Sequence, residues 1–141
     1  LEFRRVLFRS RPALTQRRLV EAGLLGRKTG RGYYDYAEGA SAPAPTTDPV
    51  RGQAILDRIL AMLVNEAVDA VHWQVASAAD IDRAMTAGVN YPQGLLAWAD
   101  AIGPARILAT LEALQAEYGE DRYRPSPRLR RIVREGGRCV T

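Results

Sequence analysis

The side chains able to do chemistry in this sequence are few, and their spacing assembles no complete site. A general base is most often a histidine poised by a carboxylate. The one histidine, His72, falls at the C-terminal end of a long helical stretch, where an imidazole sits favourably against the helix dipole. It reads as structural. The one cysteine, Cys139, lies far from His72, and the carboxylates show no ligand spacing, so no metal site is expected. Two glycine-rich segments invite a phosphate reading. Gly30-Arg31-Gly32 runs into Tyr33-Tyr34-Asp35, where a dinucleotide fingerprint needs a helix and a third glycine. Gly26-Arg27-Lys28-Thr29 is similar to the end of a P-loop, but Arg27 stands where glycine precedes the lysine. Both fail. The paired acids Asp80 and Asp82 fall in the first turn of a helix, where negative charge offsets the dipole. No catalytic, cofactor-binding or metal-ligating residue is assigned on these grounds.

The elements that carry these residues are helical. Pro12 to Gly23 is expected as a short amphipathic helix with Leu14, Leu19, Val20 and Ala22 on its apolar side and Gly23 as its stop. Tyr33-Tyr34-Asp35-Tyr36 suggests an extended segment laid against a core. Ala37 to Pro49 is an Ala/Pro/Thr stretch without periodicity and reads as a linker. Beyond it, Ile55, Ile59, Leu63, Ala67 and Val71 recur at four-residue steps with Leu56, Leu60, Val64 and Val68 beside them, predicting one long helix from Val50 to about Val75. Ser77 is a suitable N-cap for a helix carrying Ile81 and Met85 and ended by Gly88. Tyr91 precedes Pro92 in a loop, Leu95 to Ile102 makes a further helix, and Pro104 opens one bearing Ile107, Leu111, Leu114 and Tyr118. Ser126-Pro127 opens the last, with Leu129, Ile132 and Val133. The expected fold is all-α, an irregular bundle of about five helices preceded by a helix and a short extended segment.

Composition narrows the function. The chain has 141 residues and a formal charge of +4, enough for one domain with part of another. No apolar run approaches the roughly 20 residues a membrane span needs, and the arginines within Leu1–Ser10 interrupt any signal peptide. A lone cysteine makes the cytoplasm the expected compartment. Seven arginines fall between Arg122 and Arg138, but acids are interspersed and no nucleic-acid module accompanies them, so nucleic acid is not an expected partner. Leu7-Phe8-Arg9-Ser10 equals the in-frame translation of a sequencing-adapter end, CTCTTCCGATCT, so Leu1–Ser10 is read as an assembly artefact fused to a partial gene.

Two segments resemble 3-hydroxyacyl-CoA dehydrogenases. Gly26-Arg27-Lys28-Thr29-Gly30-Arg31-Gly32-Tyr33-Tyr34-Asp35-Tyr36 is similar to the family's G-[KR]-K-[ST]-G-x-G-[FY]-[FY]-x-Y, which closes its C-terminal domain. Asp80-Ile81-Asp82-Arg83-Ala84-Met85 through Gly88-Val89-Asn90-Tyr91-Pro92-Gln93-Gly94 resembles D-I-D-x-A-M-x-x-G-x-x-[YF]-P-x-G-P, and Trp98-Ala99-Asp100 and Arg124-Pro125-Ser126-Pro127-Arg128-Leu129 match the bacterial pattern that follows. The order, closing motif first, is that of the longer bacterial members, which carry two tandem helical domains after a Rossmann domain and include enzymes of phenylacetate and fatty-acid β-oxidation. The resemblance implies that residues 11–37 finish a first helical domain, 38–49 link, and 50–137 form the second. It implies a homodimer acting on acyl-CoA through the full-length enzyme, with NAD and the family's histidine–glutamate pair held by an N-terminal domain outside this chain. Substrate-side or motif positions are Lys28, Asp57, Asn90, Tyr91, Pro92, Gly94 and Trp98. There are two departures. Asp57 of Asp57-Arg58-Ile59-Leu60 stands where the family's N-R-L-L places its substrate-orienting asparagine, and an acid there would repel an acyl-CoA oxyanion. Leu95 replaces the proline after Gly94.

Overall fold

The computed structural model describes residues 12–141, so Leu1–Ser10 lie outside the described residues. The chain divides into two compact units between Asp48 and Pro49.

In the first unit, helix α1 (Leu14–Glu21) is followed by a 3₁₀ turn at Arg27–Thr29 and isolated bridges pairing Gly26 with Arg31 and Arg31 with Asp35. The Thr29 hydroxyl ties this knot, accepting from Leu25 N–H at 2.9 Å and donating to Arg31 O at 3.1 Å. Gly32 is needed for close approach, because a Cβ there would lie 2.8 Å from the Gly26 backbone. The expected packing of the tyrosines against a core is not found. Tyr33, Tyr34 and Tyr36 are exposed, and α1 buries none of its residues. Within this unit Tyr34 meets Tyr36 edge-on and Arg27 lies over the Tyr36 ring.

The second unit is a bundle of five helices: α2 (Pro49–His72), α3 (Ala78–Arg83), α4 (Leu95–Ile102), α5 (Pro104–Tyr118) and α6 (Pro127–Glu135). Helix α2 is the axis, packing against each of the other four. Leu60, Ala61, Val64, Ala67 and Val68 of α2 enclose a core with Leu95, Leu96, Ala99, Ile107, Leu111, Leu129 and Ile132. Each large side chain fully buried there stabilises the fold by about 1.5–3 kcal/mol before entropy is counted.

The apolar stripe of α2 is divided along its length. Its C-terminal half is buried, whereas Val50, Ile55, Leu56 and Ile59 are exposed, because the core it faces begins only at Leu60. The helix ends at His72, not near Val75, as Gln74 turns left-handed at φ 56. Gly88 does not stop the next helix. The chain winds through it in a π-helical turn, Ala84–Gly88, and ends at Asn90, whose φ of 57 suits asparagine better than most residues.

Candidate functional site

The segment joining α3 to α4 is the most highly specified part of the bundle. Ser77 caps α3, its hydroxyl accepting from Asp80 N–H at 3.2 Å and meeting the Asp80 carboxylate at 2.6 Å. Asp82 does something different from its expected role on its own helix. Its carboxylate reaches across to the first turn of α4, accepting from Leu96 N–H at 2.8 Å and Ala97 N–H at 3.0 Å. Those are donors that a helix start leaves without intrahelical partners. Gly94, the residue before α4, is buried against the same carboxylate. A Cβ there would fall 2.2 Å from Asp82 Cγ and 2.4 Å from Asp82 Cβ. Thr86 bonds back to Asp82 O at 3.1 Å, within the π-helical turn, and side-chain back-bonding of this kind bends helices. Tyr91 N–H then donates to Met85 O at 3.1 Å while its ring packs on the core. Asn90 and Pro92 are exposed, and Trp98 is half-buried on α4. These positions form one scaffold.

Asp57 and Lys28 do not join it. Asp57, on α2, accepts from Gln53 Nε2 at 2.7 Å and pairs with Arg106 of α5 at 2.9 Å. The Gln53 hydrogen bond, and then the Arg106 guanidinium, hold its carboxyl below the usual range. The hollow beside it, lined by Leu60, Ala61, Ile102 and Thr110 among others, has a volume of about 10 Å³, room for a water but not an acyl chain. Asp57 therefore ties two helices at the surface. Surface ion pairs contribute about 0–1 kcal/mol, so Asp57→Asn should change the urea midpoint little at pH 7. Because the folded pKa is depressed, the pair's contribution is present above the ordinary aspartate range and disappears as pH falls through the folded value. The wild-type and variant curves should converge there. Lys28 is exposed in the 3₁₀ turn of the first unit.

Sequence reasoning missed two polar anchors. Asn65 is fully buried in α2; its Nδ2 donates to Arg124 O at 3.1 Å and its Oδ1 accepts from Ser126 N–H at 2.7 Å. It thereby fixes the Arg124–Ser126 turn that starts α6. Arg58 stacks over Tyr118 and Tyr123 and donates to the Tyr123 hydroxyl. The signal for Asn65 was a polar residue inside the widest part of an apolar stripe.

Four of the seven arginines between Arg122 and Arg138 are drawn into ion pairs: Arg122 with Glu120, Arg130 with Glu112, Arg134 with Glu135 and Arg138 with Asp100. His72 packs edge-on to Trp73. Among the described residues no cluster of three or more His, Cys, Asp or Glu could hold a metal, and no helix is long and apolar enough to cross a membrane. The Gly30–Gly32 turn leads into a bridge at Arg31–Asp35 rather than a helix, so these residues do not fit a dinucleotide pyrophosphate.

Residues 49–141 thus make an all-α scaffold knotted by an inter-helix aspartate cap. The chain belongs to the 3-hydroxyacyl-CoA dehydrogenase family, whose C-terminal domain matches residues 55–138. It is 56% identical over 81 residues to the 3-hydroxyadipyl-CoA dehydrogenase of Escherichia coli K12, covering 57% of this chain and 17% of that protein. It is 32% identical to the fatty acid oxidation complex subunit alpha of Shewanella sp. MR-4, covering 78% of this chain and 18% of the relative. The crystal structure of 3-hydroxybutyryl-CoA dehydrogenase from Escherichia coli K12 superposes with a TM-score of 0.64 at 29% identity, over 91% of this chain and 46% of that one. The chain thus spans less than half the length of these relatives.

Proposed function

We propose that this chain supplies the helical, substrate-side and dimerisation part of an NAD-dependent dehydrogenase that oxidises 3-hydroxyacyl-CoA to 3-oxoacyl-CoA. The observation that carries the reading is the family match over residues 55–138, which contains the whole Asp82–Gly94 knot. On this reading residues 11–37 complete one helical domain, 38–49 link, and 50–137 form a second. On the same reading NAD would be held by a separate Rossmann domain and would supply the hydride acceptor. The contribution of this chain on this reading is shape: a pinned α3–α4 corner and an apolar ridge on α2. The engagement of Asp57 with Gln53 and Arg106 supports a non-catalytic role for this copy of the helical domain. The names of the relatives support chemistry on CoA thioesters and fatty-acid oxidation; a cytoplasmic location and a place in phenylacetate catabolism are part of the same proposal.

The 141-residue chain alone should not oxidise NADH in the presence of acetoacetyl-CoA, followed at 340 nm. The product of the same gene extended upstream through a G-x-G-x-x-G segment should do so. Turnover by the short chain, or none by the extended one, refutes the proposal.

The exposed ridge of Val50, Ile55, Leu56 and Ile59 favours a second reading, a helical module whose task is self-association. Light scattering should then give twice the chain mass for the wild type. Leu56→Glu should give the monomer without loss of helical signal. A wild-type monomer at high concentration removes this reading.

A further inference from the structure

The segment after α6 is held to the bundle in an unusual way. Gly136, left-handed at φ 66, ends the helix, and Gly137 N–H closes onto Ile132 O at 2.9 Å. Past that point the hydrogen bonds that residues 138–141 make to the rest of the fold converge on a single carboxylate. Cys139 N–H donates to Asp100 Oδ1 at 2.7 Å, and Val140 N–H and Arg138 Nε donate to Asp100 Oδ2 at 3.4 Å each. The Asp100 side chain is only 7% exposed. One further contact seats the segment: the Cys139 side chain is fully buried in the core cluster. Val140 and Thr141 lie at the surface.

We infer that residues 138–141 form a strap that opens independently of the helical bundle, with Gly136–Gly137 as its hinge, Asp100 as its latch and Cys139 as its plug. Local openings of this kind need only the contacts of the opening segment to break, so they occur far more often than global unfolding. Here those contacts amount to one carboxylate and one small side chain. While the strap is closed the thiol is shut off: burial first, and then the Asp100 charge, push it up to about 12. Opening returns it to water and to the reactivity of an ordinary cysteine. The chain's only thiol is thereby gated by a segment a few residues long.

The test uses the whole chain and a disulfide reagent, 5,5′-dithiobis(2-nitrobenzoate), as the probe. For the wild type at pH 8, the labelling rate of Cys139 should be flat over low urea, and the Cys139 and Val140 amides should exchange at least tenfold faster than those of Val64 and Leu96. Asp100→Ala should raise the labelling rate at least tenfold and leave exchange at Val64 and Leu96 unchanged. A wild-type labelling rate that climbs from zero urea on the same slope as global unfolding overturns the strap. So does labelling in Asp100→Ala equal to wild type. Should Asp100→Ala fail to fold, the urea dependence of the wild type decides alone.

Discussion

Gly94→Ala should lower the stability of the helical unit by about 3 kcal/mol or more, the largest effect expected of any single methyl group added here. The added Cβ would sit 2.2 Å from Asp82 Cγ and 2.4 Å from Asp82 Cβ. A clash with the tip of a flexible side chain is relieved by a rotamer change, but Cβ moves only with the backbone of α3. Overpacking of this kind typically costs 1–3 kcal/mol. Here any escape also pulls the carboxylate from Leu96 and Ala97 N–H, losing a cap worth about 0.5–2 kcal/mol more. Urea unfolding followed by circular dichroism measures the sum. The cause can be separated from a general intolerance of the loop by a second background. Asp82→Ala alone should cost only the cap, and Gly94→Ala added to it should remain expensive, since a Cβ at position 82 is still present. In an Asp82→Gly background, with that carbon gone, Gly94→Ala should become nearly neutral. Equal costs of Gly94→Ala in all three backgrounds would show that Asp82 is not what the glycine accommodates.

Much of this architecture can be read along the chain, and what cannot be read has one physical origin. Helices α4, α5 and α6 are legible because their boundaries are local: Gly103 and Pro104 sit side by side, and Ser126-Pro127 is a cap followed by a proline at the first helical position. The buried half of α2 is legible from periodicity. Its exposed half is not, because Ile55 and Ile59 have the same spacing as Leu60 and Val64, and only the position of the other helices decides which pair is covered. Asp82 is the sharper case. In sequence it is an acid in a first turn; in space it caps another helix 14 residues on, a partnership no local rule reports. The tyrosines of residues 33–36 fail for the opposite reason: aromatic composition promises a core, and the first unit buries none of them. For the site, the family motif singled out Asn90, Tyr91, Pro92 and Gly94. The physical roles of these residues, a left-handed stop and a close approach, became visible only with the backbone placed.

Asn65 carries the second large expectation, and its pH dependence makes it specific. The side chain is fully buried and uses both ends of its amide, a donor to Arg124 O and an acceptor for Ser126 N–H. Asn65→Ala strands a partly buried carbonyl and a buried N–H, each costing about 1–3 kcal/mol when left without a partner, so a loss of about 3 kcal/mol is expected at every pH where the unit folds. Asn65→Asp keeps the shape and changes only the chemistry. Ionised, it still accepts from Ser126 but turns a second negative oxygen toward the Arg124 carbonyl, in a place water cannot reach. Protonated, it regains a donor for that carbonyl. Burial therefore raises the folded pKa of the introduced carboxyl above its unfolded value of about 3.9. A raised folded pKa contributes stability that is present below the unfolded value and lost as pH climbs through the folded one. Asn65→Asp should accordingly lie within about 1 kcal/mol of wild type near pH 4 and fall about 3 kcal/mol or more below it at pH 7, each compared with wild type at the same pH. Parallel pH profiles for Asn65→Asp and Asn65→Ala would mean that the Arg124 carbonyl finds another donor, and that the start of α6 is not set by this amide.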